Sequence, residues 1–262
     1  MFCKENIDWE LFFDQVGQSE QKLLMLDYDG TLAPFRPERS QAKPYSQVRE
    51  LLEQLAQRPD QRLVLITGRR VHELTSLLAL SVQPEVWGCH GLEHLTQDGS
   101  YQIQELDEQS LSVLSALDER LESEGLREFL EYKPGAVALH WRGLDQERIR
   151  DLHQRTLGIC LPICSDKLVL LEFDGGVEFR VPGVNKGDVV TKLLEETNAP
   201  CVAAYLGDDF VDEYAFQALR GRGLSVLVRK EKRPSSADIW IRRPEELVEF
   251  LSAWVAACGG AA

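Results

Sequence analysis

Three observations predict an α/β protein, with a mostly parallel sheet and a smaller α/β lobe inserted into it. Apolar runs without polar alternation, at residues 23–26, 63–66 and 201–206, read as strands covered on both faces. Each run ends abruptly in polar groups, and helical patterns separate the runs, which is the βα alternation of a parallel sheet. That alternation stops near residue 104, where strand-like segments with a hairpin signal appear, and returns after Pro182-Gly183. The expected division is a core of residues 1–103 and 184–262 around an insertion of residues 104–183.

Taken in order, Trp9, Phe12, Phe13 and Val16 recur at helical spacing. The strand at 23–26 follows, then a loop containing Pro34, Pro37 and Pro44, and a helix through Val48, Leu51, Leu52 and Leu55 that Pro59 terminates. The strand at 63–66 leads to a helix through Val71, Leu74, Leu77 and Leu78 and a short strand at Val86-Trp87. In the insertion we expect a helix over 105–124, strands over 136–141, 168–173 and 177–181, and a helix over 147–157. Asp174-Gly175-Gly176 is a hairpin signal between the last two strands. The core resumes with a helix through Val189, Val190, Leu193 and Leu194, the strand at 201–206, a helix over 214–219, a strand over 224–228 and a final helix from Glu245 to about Val255. The tail at 259–262 reads as an unstructured end.

Composition excludes several classes. A net charge of −14 argues against nonspecific nucleic-acid binding, which requires a basic surface. No segment approaches the roughly 18 apolar residues of a membrane span, and the N-terminus, with Lys4, Glu5, Asp8 and Glu10, does not read as a signal peptide. A cytoplasmic protein is expected, and a monomer is slightly favoured. The six cysteines, Cys3, Cys89, Cys160, Cys164, Cys201 and Cys258, form no C-x-x-C pair and read as reduced thiols. His90 and His94 have the spacing of a helical zinc pair, but Gly91 follows the first and the H-E-x-x-H glutamate is missing, so zinc is not expected.

The strand tips carry the chemistry. Asp27 and Asp29 end the first strand with Gly30 and Thr31, Thr67-Gly68-Arg69 ends the second, and Asp208 and Asp209 end a third, with Asp212 close behind. In a parallel sheet these tips share one edge, where ligands gather. Two like charges about 4 Å apart repel by roughly 4 kcal/mol at an effective dielectric near 20, so Asp27 and Asp29 need a cation or a proton between them. Lys186 opens the helix that re-enters the core. Carboxylates, a hydroxyl and a lysine at one edge suit Mg²⁺ and a phosphate.

These motifs in this order resemble the haloacid dehalogenase superfamily. Residues 26–34, Gly88-Cys89-His90-Gly91-Leu92-Glu93, Leu139-His140-Trp141-Arg142 and residues 207–213 further resemble trehalose-6-phosphate phosphatases, and the similarity spans nearly the whole chain. The resemblance implies a Rossmann-like core with an inserted α/β cap. It implies Asp27 as a nucleophile forming an aspartyl-phosphate and Asp29 as general acid and base. Thr67, Gly68, Arg69 and Lys186 would bind phosphate. Asp27, Asp29, Asp208, Asp209 and Asp212 would hold Mg²⁺ directly or assist its ligands. Glu131, Lys133, Arg142 and Glu178 would read the sugar. Thr67 stands where the family often has serine, keeping the hydroxyl, and Val181-Pro182 replaces a more basic sequence.

The rival readings are the same chemistry on sucrose 6-phosphate, glucosylglycerol phosphate or mannosyl-3-phosphoglycerate, or a sugar-phosphate sensor without turnover. The intact Asp27/Asp29 pair speaks against a sensor, which needs no acid-base group.

Overall fold

Side chains on a strand alternate between its faces, so an unbroken apolar run requires cover on both sides. In the computed structural model, which describes residues 7–163, 167–173, 175–197 and 200–259, the core sheet has that cover. Cys3, Lys4, Glu5, Cys164, Asp174 and residues 260–262 lie outside the described residues. The first part of the core comprises α1 (Trp9–Gln18), β1 (Gln21–Leu26), α2 (Ser46–Ala56), β2 (Gln61–Ile66), α3 (Val71–Leu78), β3 (Glu85–Gly88), β4 (Glu93–Leu95) and β5 (Tyr101–Ile103). Next come α4 (Glu108–Ser123), β6 (Leu130–Lys133), β7 (Ala136–His140), α5 (Gln146–Cys160), β8 (Val169–Phe173) and β9 (Gly176–Arg180). The chain closes with α6 (Lys186–Glu195), β10 (Cys201–Gly207), α7 (Glu213–Leu219), β11 (Leu224–Val228), β12 (Ile239–Ile241) and α8 (Glu245–Gly259). Two compact units result, one of residues 1–102 and 185–262 and the other of residues 103–184.

The core sheet has the order β12-β11-β10-β1-β2-β3-β4-β5, parallel from β12 to β3, with β4 antiparallel to β3. Leu24 and Leu26 of β1 join one apolar cluster with Val48 and Leu52 of α2 and Phe250 and Trp254 of α8. Leu23 and Met25 face the other way, into a cluster with Val190 and Leu193 of α6 and Phe216 of α7. Full burial of each such side chain contributes roughly 1.5–3 kcal/mol. The fold is thus an α/β/α layered core, as the apolar runs predict. No helix among the described residues is long and apolar enough to cross a membrane.

The second unit is a four-stranded antiparallel sheet, order β6-β7-β9-β8, with helices α4 and α5. Val137, Leu139, Val177 and Phe179 are buried on one face. The register places Glu131, Ala138 and Glu178 in one row on the other.

Several boundaries move. The helix expected over 105–124 starts at Glu108 because Asp107 caps it, accepting the Ser110 N–H, and α8 runs on past Val255 to Gly259. Strands β4, β5, β6 and β12, none of them expected, are three or four residues long.

Candidate active site

Asp27 follows β1, and its backbone N–H continues the sheet by donating to the Leu206 carbonyl at 2.9 Å. Asp27 as a whole is 5% exposed. Lys186 Nζ donates to Asp27 Oδ1 at 2.5 Å, and the Thr31 hydroxyl donates to Oδ2 at 2.9 Å. Lys186 is delivered there by the cap of α6, in which the Asn185 side chain accepts from Gly187 N–H and Asp188 N–H. The same ammonium donates to Asp212 Oδ1 at 2.7 Å, and Tyr205 adds its hydroxyl at 2.5 Å. Asp212 Oδ2 accepts the N–H groups of Asp208 and Asp209, each at 2.9 Å. Both oxygens of Asp212 therefore shape the loop after β10, and Asp209 spends Oδ1 on the Phe210 N–H at 2.7 Å.

Asp208 is different. Its Oδ2 receives Arg243 at 3.2 Å, while its buried Oδ1 accepts no hydrogen bond from the described residues. Gly30, at φ +84°, permits this approach, since a Cβ there would stand 2.2 Å from Asp208 Oδ2. Arg229 and Arg233 fix the loop by donating to the Asp208 carbonyl at 3.0 Å and the Asp209 carbonyl at 2.8 Å. Among the described residues, oxygens of Asp27, Asp208 and Asp212 lie within 4.8 Å of one another.

The electrostatics follow from this crowding. Burial, and then repulsion from Asp212 and Asp29, push the Asp27 carboxyl up to about 7 against the pull of Lys186. Burial and the neighbouring Asp27, Asp212 and Asp209 raise Asp208 well above the usual carboxylate range. Burial also works against Asp212, but Lys186 and Tyr205 outweigh it and hold that carboxyl low. The negative charge here exceeds what the surrounding protein neutralises, and a hard divalent cation fits the three-acid group and the orphaned Asp208 oxygen.

Asp29 is held separately. Arg69 grips it at two points, Nε to Oδ2 at 2.6 Å and a terminal nitrogen to Oδ1 at 2.7 Å. The repulsion between Asp27 and Asp29 is thus relieved by two cations, Lys186 for one and Arg69 for the other, rather than by a shared counter-ion. Thr67 is buried at the tip of β2, and its Oγ1 accepts the Arg69 N–H at 3.1 Å, which leaves the hydroxyl proton to donate elsewhere. Asp27, Asp29, Thr67, Gly68, Arg69, Lys186, Asp208, Asp209 and Asp212 thus all lie on the loops and helix start at one edge of the core sheet. Sequence reasoning missed Tyr205, Arg229, Arg233 and Arg243. Arg229 and Arg243, each just beyond the end of a strand like the other site residues, carry a positional signal.

In the second unit, Lys133 Nζ lies 2.6 Å from Glu178 Oε2 and 3.8 Å from Glu131 Oε2, and His140 contacts Glu131. Three of the four expected sugar-reading residues therefore cluster on one sheet face. Arg142 stands apart, its Nε 2.8 Å from where a Cβ of Gly175 would lie. Neither histidine of the rejected zinc pair joins the acidic group: His94 stacks on Trp87 at 3.8 Å, and His90 lies against Gly68.

The fold matches that of a Candida albicans trehalose-6-phosphate phosphatase C-terminal domain, with TM-score 0.80 at 19% identity, covering 97% of this chain and 99% of that one. A haloacid dehalogenase-like hydrolase from B. subtilis superposes with TM-score 0.60 at 17% identity, covering 88% and 99%. In sequence the chain is 27% identical over 246 residues to a trehalose-phosphate phosphatase of Mycobacterium marinum, covering 87% of this chain but 60% of that protein's length. The profile of the trehalose-phosphatase family matches residues 25–243. The match of the trehalose-phosphatase family over residues 25–243, more than half of the chain, places the chain in that family.

Proposed function

We propose that the protein hydrolyses trehalose 6-phosphate to trehalose and phosphate through an aspartyl-phosphate on Asp27. The observation that carries this reading is the buried tip of β1, where Asp27 is oriented by Lys186 and Thr31 beside an acidic group that calls for a cation. Mg²⁺ held by Asp27 and Asp208, with Asp212 and Asp209 setting the loop behind them, would neutralise charge on the phosphoryl oxygens.

An Asp27 oxygen attacks phosphorus, the bond from phosphorus to the sugar oxygen breaks, and Asp29 gives its proton to that oxygen. Asp29 then takes a proton from water as the water oxygen attacks phosphorus, and the bond to Asp27 breaks to return the carboxylate. The two-point grip of Arg69 aims Asp29; a protonated Asp29 would have to give up one of these two contacts, since its O–H no longer accepts. Lys186 and the Thr67 hydroxyl offset charge at the phosphoryl group, and the Gly68 N–H adds a further donor. Glu131, Lys133 and Glu178 offer donors and acceptors for sugar hydroxyls on one face of the second sheet, and Arg142 adds a donor at its end.

Phosphate release from a panel of sugar phosphates, run with wild type and Asp27→Asn, with Mg²⁺ and with excess chelator, tests the proposal. Trehalose 6-phosphate is expected to be the preferred substrate, and both the substitution and the chelator to abolish release. Full turnover by Asp27→Asn or in chelator overturns the mechanism. A stronger preference for another glycosyl phosphate overturns the substrate.

A further inference from the structure

The tip of β3 carries Gly88-Cys89-His90-Gly91-Leu92-Glu93, a motif to which the reaction above assigns no part. Its backbone is strained: Cys89 and His90 have φ of 48° and 59°, and neither is glycine. Such positions cost roughly 1–3 kcal/mol each and persist only where their surroundings over-determine them.

Those surroundings are the loop after β2. Cys89 N–H donates to the Arg69 carbonyl and His90 N–H to the Thr67 carbonyl, both at 2.8 Å. The His90 ring lies so near Gly68 that a Cβ there would stand 2.7 Å from Nε2 and 2.8 Å from Cε1. Fully buried Glu93 accepts the Val71 N–H on Oε2 at 2.6 Å and so caps α3. Its Oε1 accepts the Tyr101 hydroxyl at 2.9 Å and Arg70 Nε at 3.4 Å. The motif thus touches every residue from Thr67 to Val71. A glycine in place of His90 would relieve the backbone but lose the ring.

We propose that this motif is the bed of the phosphate-binding loop, with His90 and Glu93 as positioning residues that set the Thr67 hydroxyl and Gly68 N–H for a phosphoryl oxygen. The inference rests on reading residues 67–69 as that loop. With its two flanking carbonyls and the next helix start tied to the motif, the loop keeps its donor geometry before substrate arrives, and no ordering is left to the binding step.

The test is calorimetric titration of inorganic phosphate into the Mg²⁺-supplemented protein, together with turnover of p-nitrophenyl phosphate. His90→Asn keeps a residue that tolerates positive φ but removes the ring. It should weaken phosphate about 10-fold, the scale of one misplaced charge-assisted hydrogen bond, raise KM and lower kcat, without lowering the melting temperature. His90→Gly, which relieves the backbone but likewise lacks the ring, should weaken phosphate as His90→Asn does. Glu93→Ala should weaken phosphate likewise, and Glu93→Gln, which retains an acceptor for Val71 N–H, should recover it. Phosphate affinity within twofold of wild type in both His90→Asn and Glu93→Ala overturns the proposal, as do losses that only follow melting temperature. A wild type that neither binds phosphate nor turns over the ester overturns the phosphatase reading beneath it.

Discussion

Replacing Lys186 by methionine probes the electrostatic centre most directly. The ammonium is 2% exposed and bridges Asp27 at 2.5 Å and Asp212 at 2.7 Å. Removing it leaves two buried carboxylates facing each other with no cation between them. Breaking a buried pair by deleting one partner costs about 3–5 kcal/mol, which for a chain of this size lowers the melting temperature by roughly 6–20 °C. Burial works against the lysine's charge, but Asp212 and Asp27 outweigh it and raise its pKa. A raised value means that its contribution is fully present below its ordinary pKa near 10.5 and is lost only as pH rises through the folded one, so pH 7 lies inside the window. The assay is guanidinium unfolding at pH 7 in chelator, so that no added metal replaces the lost charge. Lys186→Met/Asp212→Asn should recover part of the loss, because one of the stranded carboxylates is gone. A Lys186→Met midpoint indistinguishable from wild type refutes the argument that this lysine neutralises the cluster.

Gly30→Ala should abolish most turnover and lower the melting temperature, since its Cβ would sit 2.2 Å from Asp208 Oδ2 at a φ of +84°; wild-type kinetics refute that steric account. Burial pushes Glu85 up, but hydrogen bonds from His94, Arg62 and Trp87 bring it down from 4.5 to about 2. Its stability contribution is therefore present above pH 4.5, lost as pH falls toward 2, and worth at most roughly 3 kcal/mol. The gap between the guanidinium midpoints of wild type and Glu85→Gln at pH 6 should narrow by pH 3 and close further toward pH 2, and a constant gap refutes the pairing. Lys133→Ala, Arg142→Ala and Glu178→Ala should each cut kcat/KM for trehalose 6-phosphate about 10- to 100-fold while sparing p-nitrophenyl phosphate. Equal losses on both esters would show that these side chains support folding rather than recognition.

What was legible in the sequence was whatever repeats or continues along the chain. Buried parallel strands announce themselves as apolar runs, and their polar ends point to the site, which is why Asp27, Thr67 and Asp208 could be picked out. Strand β12, Ile239–Ile241, is too short to show a period, and Arg243, which it delivers to Asp208, went unseen with it. Tyr205 looked like one more apolar residue of β10, because nothing local reveals a hydroxyl bonded to Asp212. The acidic cluster was visible as composition, but its division of labour was not. Asp212 is committed through both oxygens to Lys186, Tyr205 and two backbone amides, which only the folded loop decides.

The position of β1 between β2 and β10 has a consequence for synthesis on the ribosome. Its first neighbour, β2, ends at Ile66, whereas its second, β10, ends at Gly207. At about 5–20 residues per second the ribosome needs roughly 7 to 28 s to cover that interval. Throughout it, one edge of β1, with its apolar run Leu23–Leu26, lies open, and an open apolar edge invites pairing with another chain. Asp27 meanwhile waits without the Lys186 ammonium that pairs with it in the folded protein. The intervening segment, residues 103–184, has all four of its own strands before β10 appears and can fold as a compact unit by itself. A circular permutant opening at β10 would supply that neighbour before β1 and remove the interval.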